Sequence, residues 1–158
     1  MAGSASVHFL LVDDDQDDRM FFKDASSELG IEVKISELQD GSPVISTLEM
    51  LPELPQVIVM DINMPELNGL DTLTHIRQHE RFKDIPVVLM TTSADPAMIS
   101  LGHQKGADRY VIKPTAFKDL KRLVKIIARD WETFRTGHDA SNFVLNKTLK
   151  KRNQDSIL

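Results

Sequence analysis

Apolar residues gather into five short runs, at positions 7–12, 31–35, 57–60, 87–90 and 110–112. The first, third and fourth are almost continuously apolar, as in strands covered on both faces of a parallel sheet. Between the runs the apolar positions fall at helical spacing. Met20, Phe21, Ala25 and Leu29 make one stripe, and Leu70, Leu73 and Ile76 another. Met98, Ile99, Leu101 and Gly102 predict a short helix, while Leu120, Leu123, Val124, Ile127, Trp131 and Phe134 predict a long one. Turn-forming residues separate these segments: Gly30, Asp40 with Gly41, Pro55, Pro65, Pro86, Gly106 and Gly137. Five alternations of strand and helix predict an α/β fold, a doubly wound five-stranded parallel sheet with helices on both faces.

Open sheets of this kind bind ligands beyond the carboxyl ends of their strands, where the strand order reverses. The first run ends in Asp13-Asp14-Asp15, the third in Asp61, the fourth in Thr91-Thr92-Ser93 and the fifth in Lys113-Pro114. The second run ends without an obvious functional group. Each residue alone has an ordinary structural use: Asp caps helices and starts turns, and Thr and Lys are common at loop edges. Their joint placement on one edge of the sheet is what points to a site.

Crowded carboxylates raise each other's pKa unless a cation joins them. Two or three carboxylates with an open face suit Mg²⁺, which takes hard oxygen ligands and often shares them with phosphate. A lysine supplies a mobile point charge for a phosphate oxygen, and a threonine hydroxyl a donor. A carboxylate is also a competent nucleophile in phosphoryl transfer, giving an aspartyl phosphate.

Composition narrows the setting. The chain has 158 residues, 41% of them hydrophobic, enough for one core of ordinary size. It has no cysteine, which excludes disulfides and thiolate metal sites. No apolar run approaches a membrane span, and the first residues lack a basic-then-apolar leader pattern, so a soluble, cytoplasmic protein is expected. The net charge of −5 argues against nucleic acid as the main partner.

Taken together, Leu10-Leu11-Val12-Asp13-Asp14, Asp61-Ile62-Asn63-Met64-Pro65 with Gly69, Thr91-Thr92-Ser93 and Tyr110-Val111-Ile112-Lys113-Pro114 resemble the response-regulator receiver domain of two-component signalling. Thirty positions separate Asp61 from Thr91, and twenty-two separate Thr91 from Lys113. The resemblance runs from residue 7 to about 134 and implies a flavodoxin-like receiver fold. It implies Asp61 as phosphoacceptor and Mg²⁺, replaceable by Mn²⁺, on Asp14, Asp61 and the backbone carbonyl of Asn63, with Asp13 acting through a metal-bound water. Lys113 would pair with the phosphoryl group, Thr91 would turn its hydroxyl toward it, and Tyr110 would swing inward. The face around residues 98–104 and Tyr110 would then change shape. A cis Lys113–Pro114 bond is implied as well. Asn63 and Ser93 stand where relatives tune the lifetime of the acyl phosphate. The donor would be a sensor histidine kinase or a phosphotransfer protein, and the chain a phosphoacceptor with slow self-hydrolysis, not a dedicated enzyme. Asp15 matches no required position and reads as a surface or helix-start residue.

The expected division is a short extension over residues 1–6, a receiver domain over 7–136 and a tail over 137–158. The tail is too short for a DNA-binding domain with its own core. Its basic positions Lys147, Lys150, Lys151 and Arg152 read as a solvated end, so the output is expected to be a downstream protein target or onward phosphotransfer. Trp131 and Phe134 extend the last helix, either to cover the bottom of the core or to offer a homodimer or partner face, with the dimer preferred. The last helix and Trp131 also resemble stand-alone receivers that serve bacterial phytochrome kinases. Phe143, Val144, Leu145 and Leu149 are expected to form a short helix docked on that face or on a neighbour. Two rivals remain. A phosphatase of the haloacid-dehalogenase type would need Thr or Val where Asp17 stands. A receiver-like module that works without phosphate would have lost Asp61, Lys113 or one of the acidic pair, and none is lost.

Overall fold

The computed structural model describes residues 6–136 and 140–149. The expectations for residues 1–5 and for Gly137, Lys150, Lys151 and Arg152 lie outside them. Strands β1 (Val7–Val12), β2 (Val33–Leu38), β3 (Val57–Met60), β4 (Val87–Thr91) and β5 (Arg109–Ile112) form one parallel sheet in the order β2-β1-β3-β4-β5. Helices α1 (Gln16–Ser27), α2 (Val44–Met50), α3 (Gly69–Gln78), α4 (Pro96–Gln104) and α5 (Phe117–Asp130) connect and follow them. This is the doubly wound architecture expected. Among the described residues no helix is long and apolar enough to cross a membrane.

The continuous apolar runs follow from the two-residue period of a strand. Phe9, Leu11, Val59, Val88 and Val111 face one layer with Phe22, Val124 and Ile127. Leu10, Ile58, Met60 and Leu89 face the other, with Leu48, Leu73 and Ile76. Both layers are closed to water, so both parities must be apolar.

Several elements depart from the sequence reading. The second strand begins two residues late, at Val33, and runs to Leu38 with a half-exposed pattern, because it is a sheet edge. The short helix α2 has no counterpart among the expected stripes; it buries only Val44 and Leu48. In α1 the buried face is Arg19, Phe22, Ala25 and Ser26, whereas Met20 and Phe21 are about half exposed. The stripe was misphased because Arg19 is buried as a hydrogen-bonded charge, which an apolar count passes over. Helix α5 stops at Asp130, and Trp131–Thr133 tighten into a 3₁₀ turn. Trp131 packs against the core and Phe134 is buried in it. Beyond Phe117, the outward positions of α5 are charged: Lys118, Arg122, Lys125 and Arg129.

The tail is the largest surprise. The expected short helix is present in part: residues 146–149 are helical and carry Leu149 onto the core, whereas 143–145 run extended beside β5, with a parallel bridge between Tyr110 and Val144. Tyr110 N–H donates to Phe143 O at 2.8 Å, and Leu145 N–H donates to Tyr110 O at 2.9 Å. Asn146 then uses its side-chain amide as a strand backbone would. Its Oδ1 accepts from Ile112 N–H and its Nδ2 donates to Ile112 O, both at 2.8 Å. Phe143 and Val144 join one core layer, and Leu145 and Leu149 join the other. The open edge of β5 is thus covered by the chain itself. Asn146→Ala removes both side-chain bonds to Ile112. It is expected to lower unfolding free energy by about 1–2 kcal/mol in urea titrations and to speed amide exchange at Ile112 and Leu145 in hydrogen–deuterium exchange.

Candidate phosphoacceptor site

Strand order reverses between β1 and β3, on either side of which β2 and β4 lie, so the crevice opens over their carboxyl ends. Val12 pairs with Met60 in the register of these strands, which sets Asp13 and Asp61 side by side on leaving the sheet. Asp61 N–H donates to Val12 O at 2.9 Å and Asp13 N–H to Leu38 O at 3.0 Å, fixing both backbones. Asp13 and Asp61 are buried, and Asp14 is exposed. One carboxylate oxygen from each of the three lies within 4.8 Å of the others.

Lys113 enters from the end of β5, its N–H donating to Thr91 O at 2.8 Å. Its Nζ lies 2.9 Å from Asp61 Oδ2, 2.9 Å from Asp13 Oδ2 and 2.7 Å from Asp18 Oδ2. The contacts to Asp61 and Asp18 are aligned hydrogen bonds. The contact to Asp13 is an ion pair by distance but not by angle, and Asp13 Oδ2 has no hydrogen-bond partner. The buried Thr91 Oγ1 is likewise unpartnered. Asp13 Oδ2 keeps the Lys113 charge at 2.9 Å, so of the two atoms only the Thr91 hydroxyl lacks a partner of either kind. Burial alone would lower the Lys113 pKa, but its hydrogen bonds to the Asp18 and Asp61 carboxylates and the adjacent charge of Asp13 outweigh it and hold the ammonium above its usual range. Burial pushes the Asp13 carboxyl up to about 6, against the opposing pull of Lys113 and of the Asp15 amide.

A family model for the response regulator receiver domain matches residues 9–125. The chain belongs to the response-regulator receiver family. It is 32% identical over 121 residues to the chemotaxis protein CheY1 of Helicobacter pylori, covering 77% of this chain and 96% of that one. Among solved structures it resembles the Mn²⁺-bound form of response regulator Rcp1, with a TM-score of 0.70 and 26% identity over 84% of this chain and 97% of that one. The phosphorylated cyanobacterial phytochrome response regulator RcpA shares the fold, with a TM-score of 0.74 and 24% identity over 82% of this chain and 96% of that one. The likeness to phytochrome-associated receivers noted in the last helix is therefore present in the fold as a whole.

In this receiver the strand-end residues named from the sequence come together, with two departures. The Lys113–Pro114 bond is trans, not cis. Trans is the lower-energy form even before proline, and Lys113 Nζ reaches its partners from it. Tyr110, expected to swing inward, already lies fully buried without a phosphoryl group. Its hydroxyl donates to Ser93 O at 2.8 Å, and Phe143 of the tail packs against the ring.

Asp15, read from the sequence as a surface or helix-start residue, takes the helix-start place, while Asp18 and Arg19 have no assigned role in the sequence reading. Asp15 is the N-cap of α1, its carboxylate accepting from the Asp17 and Asp18 amides. That cap fixes the first helical turn and carries Asp18 to Lys113. Arg19, one position on, donates to the Asp13 carbonyl and pairs with Glu37 Oε1 at 3.2 Å, pinning the loop that presents the acidic pair. The three-residue offset from a capping Asp was the available signal for Asp18.

The donor set fits a divalent cation: three carboxylates, one of them exposed and one carrying an orphaned oxygen. A proton on Asp13 competes with such a cation, so binding strengthens as pH rises through about 6. At pH 5 only about a tenth of Asp13 is ionised. Mn²⁺ affinity measured by electron paramagnetic resonance is expected to be roughly tenfold weaker there than at pH 7.5. Equal affinities would remove Asp13 from the ligand set. Gly69 supplies a second test. A Cβ there would collide with the Asp61 carbonyl oxygen. Gly69→Ala is expected to cost about 1–3 kcal/mol in denaturant unfolding and to slow loading of Asp61 in the folded fraction.

Proposed function

We propose that this receiver accepts a phosphoryl group from the phosphohistidine of a sensor kinase or phosphotransfer protein onto Asp61, and passes its state to a downstream protein. The observation that carries this reading is the direct Asp61–Lys113 hydrogen bond beside the cluster of Asp13, Asp14 and Asp61 carboxylates. Members of this family are phosphoacceptor switches rather than dedicated enzymes.

Asp61 supplies the nucleophile. A carboxylate oxygen bonds to phosphorus, the phosphorus–nitrogen bond of the donor breaks, and the imidazole keeps the electron pair. Lys113 stays protonated throughout and moves its charge toward the phosphoryl oxygens. Thr91 turns its free hydroxyl to one of them. Asp13, Asp14 and Asp61, with the Asn63 carbonyl, would hold Mg²⁺ or Mn²⁺, which when bound offsets the phosphoryl charge. Exposed Phe21 and Phe117 line an apolar groove with Pro114 and Lys113 at the mouth of this crevice, a fitting seat for the donor's helical face.

Output would run through β5. Thr91, Ser93 and Tyr110 connect the crevice to the edge that the tail occupies. Phosphorylation adds charge and acceptor oxygens that draw on Thr91 and the loop after it. The Tyr110–Ser93 contact and the tail's grip on Tyr110 are the bonds placed to respond. The downstream partner would meet the α4–β5 face, and the chain would work in the cytoplasm, where such kinases keep their phosphohistidine.

Intact-mass measurement after incubation with Mg²⁺ and acetyl phosphate tests the reading. One phosphoryl adduct is expected on the wild type, and none without Mg²⁺ or on Asp61→Asn. No adduct, together with no binding of beryllofluoride, would favour a receiver-fold module that acts without phosphate.

A further inference from the structure

Lys113 holds three carboxylates, and two of them have work of their own in the reaction just described. Asp61 would be the nucleophile and Asp13 would help to hold the cation. Asp18 has neither task, yet its contact with Nζ, at 2.7 Å, is the shortest of the three. It comes from the first turn of α1, 95 residues away in sequence, and is held there by the Asp15 cap. It is also a third exposed and lines the same surface groove as Phe21 and Lys113.

We propose that Asp18 is a positioning residue that competes with the phosphoryl group for Lys113, and so sets how readily Asp61 is loaded and how long it stays loaded. The inference rests on Asp61 being the phosphoacceptor.

An ammonium has three protons to donate. In this structure its near neighbours are all carboxylates. A phosphoryl group on Asp61 brings new anionic oxygens to the same cation, so the Asp18 contact must stretch, break or be shared. Asp18 and the phosphoryl group would face each other across one ammonium, like charges in a partly buried crevice where repulsion is screened less than in bulk water. Both effects have one sign. Asp18 stabilises the unphosphorylated state and weakens the phosphorylated one. The neighbouring Asp17 carries the same charge on the same turn, and its carboxylate makes no contact with Lys113, so it separates a specific rival from general negative charge.

The test uses the full chain at saturating Mg²⁺, comparing wild type, Asp18→Asn, Asp18→Glu and Asp17→Asn. Acetyl phosphate loading and the decay of the acyl phosphate are read by intact mass, at ionic strengths of roughly 20 and 500 mM, which bracket strong and weak screening. Asp18→Asn is expected to load about three- to tenfold faster and to retain the phosphoryl group several-fold longer at low salt. That advantage should shrink toward unity at high salt. Asp18→Glu should restore wild-type behaviour, and Asp17→Asn should match wild type. A surface ion pair of purely structural use would shift thermal stability slightly and leave loading, decay and their salt dependence unmoved; that result overturns the proposal. Slower loading of Asp18→Asn also overturns it, by making Asp18 an aligning clamp. If the wild type itself takes no phosphoryl group, the phosphoacceptor reading falls with it. A wild type that loads beside an identical Asp18→Asn sinks the competition alone.

Discussion

One ammonium makes this crevice possible. Asp13, Asp18 and Asp61 approach within hydrogen-bonding range of Lys113 Nζ, and carboxylates so close repel one another without a cation among them. The geometry that delivers Lys113 is therefore the constraint on which the rest depends. It requires β5 to lie beside β4 in parallel register, with Thr91 opposite Ile112. It requires β3 to lie between β1 and β4, so that Asp13 and Asp61 leave the sheet at one level. The two buried layers hold that strand order, and the site inherits its precision from them. The ammonium satisfies most of the acidic demand but not all of it, since Asp13 Oδ2 and Thr91 Oγ1 stay without hydrogen bonds.

The legible part of the molecule was the part governed by the strand period and by the rule that places ligands beyond strand ends. Asp13, Asp61, Thr91 and Lys113 each follow an apolar run, and the sheet had only to be parallel for them to meet. Less legible were residues whose role comes from a helix or from side-chain chemistry. Asp18 lies on α1, where a charge ordinarily means a solvated face. Arg19 is buried because its guanidinium has partners in Glu37 and the Asp13 carbonyl, and a count of apolar letters cannot find it. The tail misled for a related reason. Phe143, Val144 and Leu145 carry the composition of either a strand or a short helix, and their choice was decided by an unpaired edge that the local sequence does not reveal. Asn146 completes that choice with a side chain, where no backbone pattern exists to detect.

Strand β5 links the two regions. Its carboxyl end delivers Lys113 to the acidic crevice, its middle carries Tyr110 between α4 and the tail, and its outer edge is bonded to residues 143–146. Few residues separate the charge-bearing end from the covered edge: Thr91 lies opposite Ile112, which is bonded to Asn146 of the tail, and the Ser93 carbonyl accepts from Tyr110, which is bonded to Phe143 and Leu145. No long relay is needed, because the strand is itself the rigid connection.

The family match ends at residue 125, and the covering of the sheet edge begins some eighteen residues later. A fragment trimmed to the matched boundary would keep every charged residue of the crevice and still be a different object. Ile112 and Tyr110 would present unpaired amides and carbonyls along an apolar border, the arrangement that recruits strands from other molecules. Self-association seen in such a fragment would report the missing cover and say nothing about how the whole chain assembles. The same cut would remove Phe143, which packs against the Tyr110 ring, so the mobility of that ring would reflect the trimming as much as any signal.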